Sequence, residues 1–355
     1  MKYLNIKKAL SAWQALQPLS EKDRERLSRR FTVDFNYNSN HIEGNTLTYG
    51  QTEILLLFGK VIGEADVQDV QEMTASNIGL RMMTEEAALK EMPLTQNFIR
   101  TLHKTLLRDD YTVCRNLPGG LQTSYVIHAG QYKTRPNSVI TRYGTRFEYA
   151  SPEETPGLMA DLVDWYNAAE QEGKLSPVEV AALFHYRYIR IHPFEDGHGR
   201  IARLMVNFIL SRHDYPMIVV RSRKKNEYLE ALHQTDLEVG PTPSHGAHAD
   251  IRDIKPFLKY FKELVATEVY NDVLFISEHD ERVWWYDGER IVFRTSSYTK
   301  LLNAMRTEPT LTLADMREVT GISTTAIQKL LGQLIEKKYI ERGEKDGSWR
   351  VFVTQ

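Results

Sequence analysis

Cysteine is almost absent from this sequence of 355 residues, in which Cys114 stands alone. A lone cysteine excludes a disulfide within the chain and fits a reducing compartment. Long apolar runs are missing as well. No window approaches the roughly 18 apolar residues of a membrane span, and the first residues lack the unbroken apolar stretch of a signal peptide. We therefore expect a cytoplasmic protein without a membrane partner.

The chain also lacks an excess of charge of either sign. Its 45 Lys and Arg stand against 47 Asp and Glu, a net charge of −2, so the whole protein has no electrostatic attraction to nucleic acid or to an anionic membrane. It contains no internal repeat and no low-complexity tract. A single core rarely grows past roughly 250–300 residues, so the length predicts two or three domains.

What the sequence has in abundance is helical patterning. The first ninety or so residues favour helices, and so does the segment around Leu94–Leu106. Between residues 116 and 150 glycines recur, and a hairpin is predicted around Tyr143-Gly144. A second short hairpin is predicted around Asp287-Gly288, and residues 239–250 are predicted to form a loop. The fold class is mainly α.

Two apolar helices enclose the most unusual stretch, HPFEDGHGRIAR, from His192 to Arg203. The first of them begins with Ser176 as N-cap, Pro177 at the first helical position and Glu179 at the third. Pro193 stops it. The stretch is therefore the loop between two core helices plus the first turn of the second.

The glycines and arginines of this loop predict an anion pocket. Gly197 and Gly199 can turn successive N–H groups toward one point, at a helix start whose dipole attracts negative charge. Arg200 and Arg203 lie three apart on nearly one helix face, where both can reach phosphate oxygens.

The remaining polar groups predict a reaction at that pocket. Asp196 is placed for the Mg²⁺ that accompanies a phosphate chain, whereas Glu195 is assigned to solvent or to a surface contact. His192 can accept a proton from a hydroxyl. Together these groups describe transfer of a phosphorus-centred group from a nucleotide to an alcohol. A zinc-type site of His192, Asp196 and His198 is an alternative, although two adjacent arginines would repel the cation.

At this point the stretch resembles the signature of the Fic family, H-P-F-x-D/E-G-N-G-R-x-x-R, at eleven of its twelve positions. Members typically move AMP from ATP to a serine, threonine or tyrosine hydroxyl of a protein, with Mg²⁺. The resemblance implies a Fic-type helical bundle with His192 as general base, Asp196 as Mg²⁺ ligand and Phe194 as an apolar anchor. The phosphate cradle would comprise Gly197, His198, Gly199, Arg200, Ile201, Ala202 and Arg203, the last at the γ-phosphate. His198 replaces the usual asparagine and can still donate a hydrogen bond.

A second match lies upstream, in Ser39-x-x-x-Glu43-Gly44. Ser39 and Glu43 are four apart, on one side of a helix, and Gly44 can close that helix. The pair resembles the family's inhibitory motif, in which the glutamate holds the last arginine of the signature, here Arg203. The same glutamate positions a water for removing AMP in some relatives.

The resemblance also implies further features. The hairpin of residues 132–149 is similar to the flap that holds a target protein by strand addition. Tyr228 and Asp236 are candidates for covering the adenine and ribose, and a homodimer is a family expectation. The domains expected are residues 1–92, a helical region with the inhibitory motif; 93–265, the catalytic core; 266–296, a connector with a short hairpin; and 297–355, a winged helix-turn-helix.

The last of these domains supports a rival function. Its second helix would present Thr324, Thr325, Gln328 and Lys329 outward, as a DNA-reading helix does. Nine Lys and Arg against seven Asp and Glu between residues 297 and 355 are few for neutralising several phosphates, and winged helices also serve as protein-docking modules. The alternative is therefore a transcriptional regulator that senses nucleotide and binds DNA.

Overall fold

The structure of the chain is a computed structural model that describes residues 5–116, 122–140, 144, 146–343 and 347–351. Helices dominate, so the mainly α fold class is confirmed. None of the described helices combines the length and the apolar character of a membrane-spanning segment.

The described helices follow one another in the order α1 (Ile6–Ala15), α2 (Glu21–Ile42), α3 (Tyr49–Phe58), α4 (Val67–Ala88), α5 (Gln96–Leu107), α6 (Thr155–Glu172), α7 (Pro177–Ile191), α8 (His198–Arg212), α9 (Lys225–Val239), α10 (Pro243–Ala247), α11 (Lys255–Ser277), α12 (Ser296–Thr307), α13 (Leu313–Thr320) and α14 (Thr324–Glu336). A 3-10 turn, Ser222–Lys224, precedes α9.

The described strands pair two by two, each pair antiparallel. The pairs are β1 (Tyr111–Asn116) with β2 (Gln122–Ile127), β3 (Ser138–Ile140) with β4 (Arg146–Glu148), β5 (Val283–Tyr286) with β6 (Glu289–Val292), and β7 (Ile340–Arg342) with β8 (Trp349–Val351).

The chain divides into two compact units. One takes the described residues of Met1–Ser11, Asn38–Glu43 and Ala75–Val269, and the other those of Ala12–Tyr37, Gly44–Thr74 and Tyr270–Gln355. The domain boundaries expected from the sequence stay a prediction.

Helices α7 and α8 form the centre of the first unit, where they pack against each other and against α5, α6 and α10. Both are buried nearly all round, as their apolar sequences predict. Helix α7 begins with the predicted capping box: the Ser176 hydroxyl accepts from the Glu179 N–H, and the Glu179 carboxylate accepts from the Ser176 N–H at 3.1 Å. This rigid helix pair holds the loop of residues 192–197 between its ends.

One local prediction is wrong, and one element is not predicted at all. The element without a prediction is the hairpin of β1 and β2, in which Tyr111 lies opposite Ile127. Residues 239–250 are not all loop, since α10 forms one helical turn there. That turn packs against α7, and the buried Arg190 side chain donates to the Gly240 and Thr242 carbonyls at 2.8 and 2.9 Å. Tertiary contacts therefore stabilise a helix that the local sequence does not indicate.

The second unit contains the winged helix predicted at the end of the chain. Helix α13 ends at Gly321, which has a φ of +71°, and α14 is followed by the β7–β8 pair. The core of this unit joins residues of α12–α14 to Val33, Tyr49 and Trp284. The predicted turn at Asp287-Gly288 has φ values of 44° and 74°, which fit a two-residue hairpin loop.

Candidate active site at the start of helix α8

His192 lies at the C-cap of α7 with a left-handed backbone, φ 52° and ψ 60°. Its ring stacks on the Tyr149 ring at a centroid distance of 3.7 Å and contacts the His198 ring at 3.3 Å. Burial, followed by the charges of His198 and Lys133, lowers the pKa of His192 well below its ordinary value of 6.5. The imidazole is therefore neutral at pH 7, the form that can accept a proton.

One hydrogen bond selects the tautomer of this ring. The Nδ1 atom of His192 lies 3.4 Å from the Ile189 carbonyl oxygen. A carbonyl only accepts, so Nδ1 carries the proton in this bond and the Nε2 lone pair is left available.

The two glycines of the loop have different roles. Gly197, the N-cap of α8, has a φ of +72°, which only glycine adopts without strain. Gly199, by contrast, is an ordinary residue of the first helical turn. The prediction that its backbone freedom turns the N–H groups toward one point is therefore wrong for Gly199. A Cβ on Gly199 would lie 2.4 Å from Glu43 Oε1 and 3.1 Å from Arg203 Nη1. A side chain at position 199 would therefore require the Glu43 carboxylate to shift.

Asp196 precedes the helix and has a half-exposed side chain, 44% accessible. Its Oδ1 accepts from the Gly197 N–H at 2.6 Å, its Oδ2 accepts from the Tyr111 hydroxyl at 2.6 Å, and Arg200 Nη2 lies 3.8 Å away. Burial would raise the pKa of Asp196, but Arg200 and these two hydrogen bonds lower it below 3.8. The residue is therefore an anion at the mouth of the cradle.

Two buried nitrogen atoms at the same place have no hydrogen-bond partner among the described residues: the donor Arg200 Nε and the ring nitrogen His198 Nδ1. The Arg200 side chain is only 6% exposed. A buried guanidinium nitrogen without a partner is costly, and an anion at the helix start would supply one. This observation supports the predicted anion pocket.

The third cationic group, Arg203, is held by residues of α2 and the turn after it. Its Nε donates to the Ser39 hydroxyl at 3.0 Å, and its Nη2 donates to the Ser39 carbonyl at 2.8 Å and to Glu43 Oε1 at 2.7 Å. Burial would raise the pKa of Glu43, but the charge and the hydrogen bond of Arg203 lower it below 4.5. The structure thus brings together the three residues that the resemblance links.

Other predicted cradle residues contribute differently. The side chains of Ile201 and Ala202 are fully buried, so only their main chains face the start of the helix. Tyr228 is 3% exposed and its hydroxyl shares a hydrogen bond of 2.9 Å with His185 Nε2. Asp236 accepts from the Tyr186 hydroxyl at 2.9 Å and pairs with Arg190 at 3.3 Å. Both candidates for the adenine and ribose are thus already bonded within the protein, and their roles stay predictions.

The loop is held by residues that sequence reasoning missed. His103 is fully buried and stacks on Phe194 at 3.7 Å, with its Nε2 2.9 Å from the Asp196 carbonyl oxygen. Lys133, also buried, donates from its ammonium group to the His192 carbonyl at 2.9 Å. A histidine at helical spacing and a lysine in the segment before β3 carry no sequence signal that predicts these contacts. Glu195 makes the expected surface contact, accepting from Thr134 at 3.2 and 3.3 Å.

The predicted flap corresponds to β3 and β4, with Val139 opposite Phe147. Within the described part of the chain these strands pair only with each other. Residues 141–143 and 145 lie outside the described residues, so the predicted turn at Tyr143-Gly144 is not tested. Tyr149, directly after β4, carries the ring that stacks on His192.

The donor set distinguishes between two kinds of metal site. The described residues contain no group of three or more His, Cys, Asp or Glu side chains arranged to hold a metal ion, so the zinc-type alternative finds no support. Magnesium bound together with phosphates needs only one or two protein carboxylates. Asp196, half-exposed beside the unpartnered Arg200 nitrogen, fits that requirement and is the residue that would hold the ion.

Comparison with known proteins agrees with this geometry. Residues 93–210 match the model of the Fic/DOC family, and residues 295–348 match that of the MarR family. The protein adenylyltransferases fic-1 of Caenorhabditis elegans and Caenorhabditis briggsae are 30% and 29% identical to this chain over 236 and 235 residues. These alignments cover 66% of this chain and 40% of each worm protein, so the chain spans less than half the length of these relatives.

Solved structures extend the comparison. A Fic-domain-containing signalling protein from Bacteroides thetaiotaomicron is 52% identical, with a TM-score of 0.71 over 78% of this chain and 100% of that one. A Fic family protein from Desulfovibrio desulfuricans is 20% identical and shares the fold alone, with a TM-score of 0.55 over 99% of this chain and 94% of that one. The signature loop lies between two buried helices, and the chain matches both the family model and these relatives. This chain therefore belongs to the Fic/DOC family.

Proposed function

We propose that the chain is a protein adenylyltransferase that moves AMP from ATP to a serine, threonine or tyrosine hydroxyl of a target protein or of the chain itself. Relatives named protein adenylyltransferase support this activity. The observation that carries the proposal is the placement of a neutral His192, an anionic Asp196 and two buried arginines around the first turn of α8.

The cradle would bind and orient the triphosphate. The first N–H groups of a helix have no partner within the helix, and its dipole favours negative charge there. Arg200 Nε has no partner among the described residues, and Arg203 can turn from Glu43 to a phosphate oxygen. Guanidinium groups bind phosphate with two parallel N–H bonds, which fixes the α-phosphorus with respect to His192.

The base then acts on the target hydroxyl. His192 Nε2 accepts the hydroxyl proton while the hydroxyl oxygen attacks the α-phosphorus. The bond between the α-phosphorus and the bridging oxygen breaks, and pyrophosphate leaves with the electron pair. The Ile189 carbonyl, 3.4 Å from Nδ1, stabilises the imidazolium that forms, because the Nδ1 proton remains bonded throughout.

Asp196 would hold Mg²⁺ against the phosphates. When bound, this ion neutralises charge on the transferring and leaving phosphate oxygens. Both oxygens of Asp196 already accept hydrogen bonds, from Gly197 and Tyr111. Each of these oxygens has a second lone pair, so Asp196 could hold the ion while the two hydrogen bonds orient its carboxylate.

Glu43 would restrain this reaction. Its carboxylate accepts the hydrogen bond of Arg203 Nη2 that a γ-phosphate would otherwise accept. Two further hydrogen bonds to Ser39 hold Arg203 in place. A carboxylate at this position also repels a phosphate electrostatically. ATP would then bind without the orientation required for transfer. The same carboxylate can position a water for removing AMP, as in some relatives.

Mass spectrometry tests the proposal directly. The Glu43→Gly protein, incubated with ATP and Mg²⁺, is expected to gain the mass of AMP on itself or on a co-incubated protein, at least tenfold faster than the native chain. Glu91→Gly, a substitution of an exposed turn residue, serves as the control and should match the native rate. Equal labelling by native and Glu43→Gly proteins would refute restraint by Glu43, and no labelling by any of them would refute the transferase.

Target docking is proposed on the β3–β4 hairpin. Within the described residues its strands pair only with each other, so a strand edge is available for an extended segment of a target protein. Tyr149 connects this hairpin to the ring of His192. A homodimer and a cytoplasmic location are proposed from the resemblance and from the composition, respectively.

A second function is favoured by one observation, the match of residues 295–348 to the MarR family. Thr325, Gln328 and Lys329 of α14 are exposed, and Thr324 is half-buried. We propose as the alternative that the chain is a nucleotide-sensing regulator that binds DNA through α14. Labelling by α-³²P-ATP supports the transferase, whereas a sequence-dependent DNA shift at moderate salt supports the regulator.

A further inference from the structure

The backbone of His192 has a conformation that its own sequence disfavours. A φ of 52° is left-handed, which non-glycine residues rarely adopt. The following residue is Pro193, and a residue before proline prefers extended angles. A conformation disfavoured in both ways persists only where the surroundings hold it.

Lys133 stabilises this conformation of His192. It is a buried lysine, 3% exposed, and its ammonium group donates to the Ile191 carbonyl at 3.1 Å, to the His192 carbonyl at 2.9 Å and to Asn137 Oδ1 at 2.8 Å. An ammonium has three donors, so all of them are used. Two of the three go to the carbonyl groups on either side of the His192 α-carbon.

The same segment binds the next two carbonyls. The Lys133 main-chain N–H donates to the Pro193 carbonyl at 2.9 Å, and Asn137 Nδ2 donates to the Phe194 carbonyl at 3.1 Å. Four consecutive carbonyl groups, those of residues 191–194, therefore accept hydrogen bonds from only two residues. The end of α7 and the loop are thus bound by the segment of residues 133–137, which leads into β3.

The cation has a second role at this position. The last carbonyls of a helix carry partial negative charge, and a positive group there is stabilising. Burial lowers the pKa of Lys133 to about 7, whereas the charge of Glu154 raises it. The three acceptors of the ammonium group, rather than water, therefore compensate for its burial.

We propose that Lys133 is a positioning residue for the general base, and that its ammonium group fixes the His192 imidazole with respect to the start of α8. This inference rests on the proposed transferase function. Lys133 makes no described hydrogen bond to the phosphate cradle of residues 197–203, and among those residues its charge acts on His198. Its loss is therefore expected to disturb the base and to leave ATP binding intact.

Kinetics in the Glu43→Gly background separate these effects. Lys133→Met keeps the length of the side chain and removes its donors, and kcat is expected to fall roughly tenfold to a hundredfold, because small misplacements of a reacting group have effects of that size. KM for ATP and the Kd of a non-hydrolysable ATP analogue should change by less than about twofold. Lys133→Arg, which can still donate to both carbonyls, should restore part of kcat.

The control is Lys174→Met, whose lysine is 78% exposed and pairs with Glu172 on the surface. Its kcat is expected to equal that of the Glu43→Gly parent. A kcat for Lys133→Met within twofold of this control would overturn the proposal. So would a parallel loss of kcat, ATP affinity and thermal stability that Lys133→Arg does not relieve, because that pattern indicates a purely structural residue.

A crystal structure of Lys133→Met without nucleotide keeps the test independent of activity. The His192 backbone is expected to leave its left-handed conformation, and its ring to leave Tyr149. If φ stays near 52° and the rings stay stacked, the positioning role is wrong whether or not AMP transfer occurs. Absence of AMP transfer from Glu43→Gly would instead overturn the proposed function and leave this structural result to decide on Lys133.

Discussion

At the scale of single residues, the chemistry proposed for His192 depends on its surroundings more than on its identity. Burial keeps the ring neutral, and the Ile189 carbonyl directs the proton to Nδ1. His103 and His185 are also buried, with pKa values lowered to about 4 and about 3, yet their Nε2 atoms are engaged with Asp196 and Tyr228. Only His192, of these three, has no described partner on Nε2 and lies beside the anion cradle.

His192→Ala tests this assignment. In the Glu43→Gly background, AMP transfer is expected to fall by at least about a hundredfold, which is within the range that a general base supplies. The Kd of a non-hydrolysable ATP analogue, measured by calorimetry, should change by less than about twofold. His279→Ala, at an exposed histidine, is the control. Turnover that survives in His192→Ala would remove His192 as the base.

The lowered pKa of His192 predicts a pH dependence. Neutral imidazole is the active form, so activity is lost as the pH falls through the pKa of the folded protein, which lies well below 6.5. We expect kcat/KM of Glu43→Gly, measured with magnesium in excess, to show no loss between pH 7 and about 6.5 and to decline only at lower pH. A decline centred at or above pH 6.5 would contradict a buried, neutral base. Above about pH 7, loss of the Lys133 proton removes a donor to the carbonyls beside His192 and is expected to lower activity separately.

At the scale of helices and strands, short-range signals decided what could be predicted. The capping box at Ser176, the proline stop after His192 and the turn at Asp287-Gly288 are local, and the structure contains each of them. Helix α10 was missed because contacts distant in sequence stabilise it, such as Arg190 on the carbonyls around α10, and no sequence signal identified the β1–β2 hairpin.

The same reasoning applies to the site. The signature identified His192, Asp196 and the cradle, because spacing along one helix start places those groups together. Lys133 and Tyr111 contact the loop from 58 residues or more away in the chain, and nothing in a single sequence reports that proximity. The need for glycine at position 199 likewise depends on Glu43, a residue of a distant segment.

The N-cap of α7 provides a prediction at this scale. Ser176→Ala removes the hydroxyl that accepts from the Glu179 N–H, and the expected cost is about 1 kcal/mol of the free energy of unfolding. Urea denaturation followed by circular dichroism measures it. Ser28→Ala, in the exposed interior of α2, should cost nothing or stabilise slightly. An unchanged midpoint for Ser176→Ala would show that the cap does not contribute.

At the scale of the whole molecule, two features have opposite implications for DNA binding. The net charge of −2 disfavours it, and the winged helix favours it. The segment of residues 297–355 has nine basic and seven acidic side chains, and nonspecific DNA affinity comes from neutralising phosphates with basic groups. The core around α12–α14 includes Val33 and Tyr49 of the N-terminal helices. The winged helix is therefore part of a larger unit rather than an isolated DNA-binding module.

The charge balance predicts weak DNA binding. At about 150 mM salt, the purified chain is expected to give no shift of random-sequence duplex DNA at micromolar protein, because too few counterions are released. Electrophoretic mobility over a salt series checks this. A shift that survives at that salt concentration and is lost in Lys329→Ala would favour the regulator over the transferase.

The central claim is that a triphosphate binds at the start of α8 and that Glu43 competes with it for Arg203. A crystal structure of Glu43→Gly with Mg²⁺ and a non-hydrolysable ATP analogue tests this most directly. We predict the phosphates on the N–H groups of α8, Arg203 on the γ-phosphate, Asp196 on the metal, and the α-phosphorus facing His192 Nε2. Nucleotide bound elsewhere, with the first turn of α8 covered by protein side chains, would contradict it.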